Sequence, residues 1–167
     1  MPPGFSLPFV LSVAGALLTS AVVASVYVWP LVRAMPRHDA LRLLAAFHAF
    51  RFLGMNFMVA GFVSPELNPG FASEVGWGDL IAATLALISM AVLSWRRSIA
   101  IPMVWIFNIW GTFDLLNAYY VGATKIRNPG LFGAGIYIPA LYVPLLLVGH
   151  ALIFMLLLKP ASETRKS

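Results

Sequence analysis

The sequence predicts an all-α fold, a polytopic transmembrane bundle of five helices with the N-terminus outside and the C-terminus inside. Three observations predict it. The 167 residues are 60% hydrophobic and only 10% charged, with a mean hydropathy of +0.87. A soluble domain carries about 25% charged residues, and a chain of this length cannot bury so much apolar surface in a core of its own. The bilayer must therefore serve as solvent for the rest. Second, five apolar segments come close to the roughly 20 residues that a spanning helix needs. Third, the basic residues fall on alternate sides of those segments in the way that membrane topology requires. They lie at helix ends and form no stripe, so nucleic acid is not the implied partner.

The first helix is expected over 7–32. The start of the chain lacks a basic n-region and the apolar run continues past Ala24, so it reads as a retained helix and not as a cleaved signal peptide. Ser12, Ala16, Ser20 and Ala24 place small residues at every fourth position, a close-packing stripe for a neighbouring helix or for a homodimer or larger membrane complex. The second helix is expected over 41–63 after the charged turn PRHD, where His38 reads as solvated. The third is the shortest, over 79–95, after a loop SPELNPGFASEVGWG at 64–78. In that reading Asp79 follows Gly78 and caps the third helix. The fourth helix spans 100–122, with Pro102 in its first turn. The fifth spans 138–158, and Pro144 inside it should kink it. Residues 1–160 form one transmembrane domain, and 161–167 are a polar cytoplasmic tail.

With the N-terminus outside, the inner side holds Arg33, Arg37, Arg42, Arg96, Arg97, Lys159, Arg165 and Lys166. The outer side holds only Lys125 and Arg127, with Glu66 and Glu74. Positive charge inside decides the orientation. Tyr27, Trp29 and Trp95 then lie near the inner surface, and Trp77, Tyr119, Tyr120 and Tyr137 near the outer one, as aromatic belts should.

Polar groups inside the apolar segments are the candidates for function. In the second helix His48 lies about 10 Å in and Arg51 about 15 Å in, at 1.5 Å per residue. The two are three apart and share a face. Arg51 is too deep to reach either surface, and a central Arg costs at least about 2.5–3.5 kcal/mol unless it faces the interior and has an acceptor. Asp114, the only carboxylate well inside an expected span, is the best counter-ion, and Asp79 is the second. Asn56, Asn108 and Asn117 can add amide hydrogen bonds. His150, on the fifth helix, comes out at nearly the depth of His48. The pair would serve a proton path or, less readily, ligate a metal or a haem axially, since no Glu-x-x-His or His-x-x-x-His spacing accompanies it.

The bland readings of the same residues are a structural ion pair between helices, two histidines bonded to backbone, and methionines that only pack. There is no cysteine, which removes disulfides, thiolate metal sites and iron–sulfur clusters. Nucleophile-elbow, His-Glu-x-x-His and phosphate-loop motifs are missing, so no enzyme class is indicated.

The stretches at 51–80, 105–122 and 137–150 carry an Arg-x-x-Gly, a Phe-Ala followed by Gly-Asp, an Asn-x-x-Gly-x-x-Asp-Leu and a Pro-rich run ending in His. Here these are Arg51, Gly54, Phe71, Ala72, Gly78, Asp79, Asn108, Gly111, Asp114, Leu115, Pro139, Pro144 and His150. The set resembles a family of small bacterial integral membrane proteins. The resemblance implies a bacterial inner membrane, multi-pass, and marks residues without naming a reaction.

The expected function is an intramembrane polar cluster of His48, Arg51, Asn56, Asp79, Asn108, Asp114, Asn117 and His150. It would bind a small polar or amphipathic ligand with proton-coupled transport. Three alternatives differ in class: an accessory subunit of a membrane complex, a lipid or isoprenoid enzyme with His48 or Asp114 as general base, and a two-histidine haem protein.

Overall fold

The computed structural model describes residues 6–95, 98–126 and 128–159. The described residues hold six α-helices and no strand. They are α1 (Leu7–Val23), α2 (Trp29–Ala34), α3 (Arg37–His48), α4 (Pro69–Ser94), α5 (Ala100–Lys125) and α6 (Val143–Leu158). Arg96, Arg97, Arg127 and the expected tail 161–167 lie outside the described residues.

Two of the boundaries are made by proline. A π-helical stretch, Ala24–Val28, joins α1 to α2 just before Pro30, and another, Ile138–Tyr142, leads into α6 just before Pro144. Proline has no N–H to give to the carbonyl four residues back and its ring crowds that carbonyl, so the turn widens instead of breaking. The expected kink at Pro144 takes this form. Counted through the widened turns, Leu7–Ala34, Pro69–Ser94 and Ile138–Leu158 are three helices long and apolar enough to cross a membrane. α5 matches α4 in length, at 26 residues each, but it carries Asn108, Thr112, Asp114 and Asn117.

α3 continues without a break into a 3-10 helix, Ala49–Met58. Its three residues per turn put every third side chain on one edge. His48, Arg51, Gly54 and Phe57 follow that period, and all four are buried. A 3-10 helix rises about 2.0 Å per residue against about 1.5 Å for an α-helix, so Arg37–Met58 reaches about 38 Å. The depths expected from α-helical rise alone are thus too shallow toward Met58.

The segment 64–78 corrects the expected loop. α4 begins ten residues earlier than expected, because Asn68 accepts a hydrogen bond from the Phe71 amide at 3.1 Å and Pro69 occupies the first turn. Asp79 is therefore not a cap at a helix mouth. It sits well inside α4, and Asn68 is the cap. The PRHD turn is likewise shorter than expected: Arg37, His38 and Asp39 already belong to α3, where His38 is half-buried.

Two apolar clusters close the ends of the bundle. At the end where residues 59–68 and 126–137 connect helices, Phe9, Phe57, Leu67, Phe71, Val121, Ile126 and Phe132 pack together. The Ser64 amide donates to the Leu131 carbonyl at 2.9 Å and ties the two connections to each other. We call this the loop end. The other end is filled by a larger cluster that includes Leu41, Leu44, Val104, Phe107, Ile153 and Leu156. Arg37 donates there to the Leu157 carbonyl at 2.6 Å, and Lys159 lies 5.0 Å from the Trp29 ring. This is the basic end. Of the small-residue stripe, Ser20 and Ala24 are buried within the chain itself, Ala16 is half-buried and Ser12 is exposed.

Candidate functional site

Between the two apolar clusters lies a polar layer built on Arg51, which is completely buried. Its Nε and Nη2 both donate to Asp79 Oδ1 at 2.7 Å, Nη2 also donates to Asp114 Oδ2 at 2.6 Å, and Nη1 donates to the Gly111 carbonyl at 3.0 Å. Both carboxylates that the sequence offered thus hold the same guanidinium. Asp114 is joined by Asp79 as an equal partner, because the longer α4 carries Asp79 to the level of Arg51.

Glycines make the room. A Cβ added to Gly54 would collide with the Asp79 carboxylate, and one on Gly78 with that of Asp114. A Cβ on Gly111 would stand 2.6 Å from His150 Cε1 and 2.8 Å from Arg51 Nη1, and one on Gly149 would stand 2.8 Å from His48 Nε2. Each buried charged or imidazole group occupies the space where a neighbouring helix has no side chain. The glycines at 54, 78 and 111 in the sequence pattern are therefore part of the site's construction.

On the basic-end side of Arg51 the His48 and His150 rings lie 4.0 Å apart, centre to centre, with Phe107 against both. Asn108 holds His150 twice: its Oδ1 lies 2.7 Å from His150 Nδ1, and its Nδ2 donates to the His150 carbonyl at 3.2 Å. With the amide oriented by the second contact, the Oδ1 contact is met by a proton on His150 Nδ1. His150 Nε2, both nitrogens of His48 and the Tyr142 hydroxyl are buried without a hydrogen-bond partner among the described residues. Two imidazole nitrogens ligating one metal from opposite sides at about 2.0–2.1 Å would hold the ring centres roughly 6 Å apart. At 4.0 Å with the rings tilted by 43° there is no space for a macrocycle between them, so these histidines as placed do not fit an axial haem. No group of three or more His, Cys, Asp or Glu among the described residues comes together to hold a metal ion.

Two residues expected in the network stand apart from it. Asn117 donates to Glu74 Oε1 at 2.7 Å on the exposed side of α4 and α5, and Asn56 is half-buried and makes no side-chain hydrogen bond among the described residues. Tyr142 and the glycine cradle are what the sequence reading left out. A tyrosine two residues before a proline inside an expected span was the available signal for Tyr142.

On the loop-end side a cavity of about 30 Å³ opens above the carboxylates. Asp79 and Asp114 are among its lining residues, with Phe57, Phe71, Phe132 and Tyr119. The Tyr119 hydroxyl donates to the Pro139 carbonyl at 2.6 Å, so the cavity meets the ring. By this measure there is room for about two waters.

The fold and the site thus define a helical bundle with three helices long and apolar enough to cross a membrane and an arginine held by two carboxylates in its interior. The chain belongs to the family of the domain of unknown function DUF8737, whose extent covers residues 8–158. No curated protein and no solved structure matches it.

Proposed function

We propose that the chain crosses the bacterial inner membrane five times with its N-terminus outside. The cavity above Asp79 and Asp114 is then an outward-facing site for a small polar or amphipathic ligand, with a proton moving on or off the carboxylates. The observation that carries this reading is the shared guanidinium. Two carboxyl groups share one arginine next to a cavity, in a place where unpaired charge is costly, so the second must either hold a proton or meet another partner. A plain structural ion pair needs one carboxylate, and the second is what a ligand or a proton can answer.

The orientation is supported by the charge at the two ends. Arg33, Arg37, Arg42 and Lys159 gather at the basic end and Lys125 lies at the other. Because the chain has no cysteine, single cysteines report topology cleanly. In intact cells Glu66→Cys should react with an impermeant maleimide and Arg42→Cys only after permeabilisation. The reverse pattern sinks the orientation.

Arg51 does not take the ligand directly, since four of its five N–H donors are engaged and it is not among the residues that line the cavity, whereas Asp79 and Asp114 are. The test is native mass spectrometry of protein extracted in mild detergent. A bound small molecule is expected on the wild type and not on Asp114→Asn. A bare chain in both, or a second protein held equally by both, contradicts the reading and favours the subunit alternative.

A further inference from the structure

We infer that the chain binds one anionic glycerophospholipid, with an acyl chain in a groove between α1, α3 and α6 and the phosphate at the basic end. The groove shares no lining residue with the cavity of Asp79 and Asp114.

One face of α6 runs along the groove. Leu145, Val148, Gly149 and Leu152 follow the spacing of three and four that brings side chains to one side of a helix. Ser20 and Ala24 line it from α1 and the start of its π-helical stretch, and Leu44 and Phe47 line it from α3. The space is about 300 Å³, and Ser20 is the one polar side chain among the lining residues. Val23, Leu43 and Leu145 line it and are exposed, so it opens at the surface of the bundle. Leu7–Ala34 and Ile138–Leu158 are each long and apolar enough to cross a membrane, and in a bilayer that surface meets hydrocarbon. Water needs polar partners that this lining does not offer; an acyl chain needs none.

The same faces run on to positive charge. Lys159 lies seven residues after Leu152, and Arg37 lies seven before Leu44. Each is two turns, about 10 Å, along its helix toward the basic end. The two meet there: Arg37 donates to the Leu157 carbonyl, and Lys159 lies 5.0 Å from the Trp29 ring. Arg33, one turn after Trp29 on α2, is exposed. Asp39 pairs with Arg42 at 3.5 Å. Arg33, Arg37 and Lys159 have no carboxylate partner among the described residues, and Arg37 Nε has no hydrogen-bond partner among them.

Unneutralised cations at the end of an apolar groove fit a molecule that is anionic at one end and hydrocarbon at the other. Basic clusters between membrane helices hold anionic headgroups, arginine meets phosphate through two N–H groups at once, and tryptophan sits at headgroup level. The groove and the cluster lie about 10 Å apart along α3 and α6, the reach from a lipid phosphate into the upper part of its acyl chain.

The experiment is native mass spectrometry of the full chain, exchanged into mild detergent and given phosphatidylglycerol or phosphatidylcholine with the same acyl chains. The wild type should take one phosphatidylglycerol at least about tenfold more tightly than phosphatidylcholine. Arg33→Gln with Lys159→Gln removes two cations that hold no carboxylate, and this double variant should bind the two lipids alike. Val148→Phe, or Leu43→Trp where the first does not fold, should narrow the groove and weaken both lipids. A wild type that binds the two lipids alike, or neither, overturns the inference. Full preference for phosphatidylglycerol in the double variant overturns it as well, because the phosphate is then held elsewhere. Unchanged lipid binding in the groove variant does the same, because the chain then lies outside the groove.

Discussion

Arg51→Ala should lower stability by about 3–5 kcal/mol, the usual consequence of leaving a buried ionic partner uncompensated. In a chain of this size that corresponds to a fall of about 10 °C in melting temperature. The reason is local and specific. The guanidinium is completely buried and serves Asp79, Asp114 and the Gly111 carbonyl at once. Its removal leaves two carboxylates facing each other with no cation, and a void in which α4 and α5 lose their common ligand. Melting followed by circular dichroism in mild detergent measures it. A shift under about 2 °C would mean that the cluster contributes no more than an exposed ion pair.

The second large effect is expected from changing both acids at once. Asp79→Asn with Asp114→Asn keeps an oxygen acceptor at each position and nearly the same volume. It leaves Arg51 as a lone buried cation, so the double variant should approach Arg51→Ala in its loss of stability. The two substitutions share one guanidinium and should be strongly non-additive. A double variant whose loss equals the sum of two similar single losses would show that each acid acts separately, and the shared-guanidinium account would fall.

Much of this site could be read from the sequence because charge in an apolar segment is rare and must find a partner. Arg51 stood mid-segment, Asp114 was the one carboxylate at a matching place, and His48 and His150 came out at one level; the rings do lie together. Asp79 was misread for a physical reason. Residues 64–78 are rich in Gly, Pro and Asn, which normally mark loops. Here Asn68 and Pro69 start a helix, and within it Gly76 and Gly78 leave the space that Met58 and Asp114 occupy. The Asn-Pro-Gly triplet recurs at 128–130, where Asn128 accepts from the Gly130 amide at 2.8 Å and opens the next short 3-10 helix. The 3-10 course of Ala49–Met58 left no mark of its own, since residues three apart share a face in an α-helix as well.

The glycines at 54, 78, 111 and 149 were visible only as residues. Their meaning needed the neighbouring helix, because what each one does is leave space for a carboxylate or a ring on another element. Tyr142 and the orphaned nitrogens of His48 and His150 belong to the same class of fact. They become informative once packing shows that nothing pairs with them.

The central claim is that the bundle encloses one acidic group more than its buried arginine needs. The single variant Asp114→Asn tests it most directly. It removes that group while Arg51 keeps Asp79 and the Gly111 carbonyl. The account predicts a melting temperature for Asp114→Asn at or above that of the wild type. A fall as large as that of Arg51→Ala would contradict it, since it would mean that Arg51 needs both carboxylates and that no acid is in surplus.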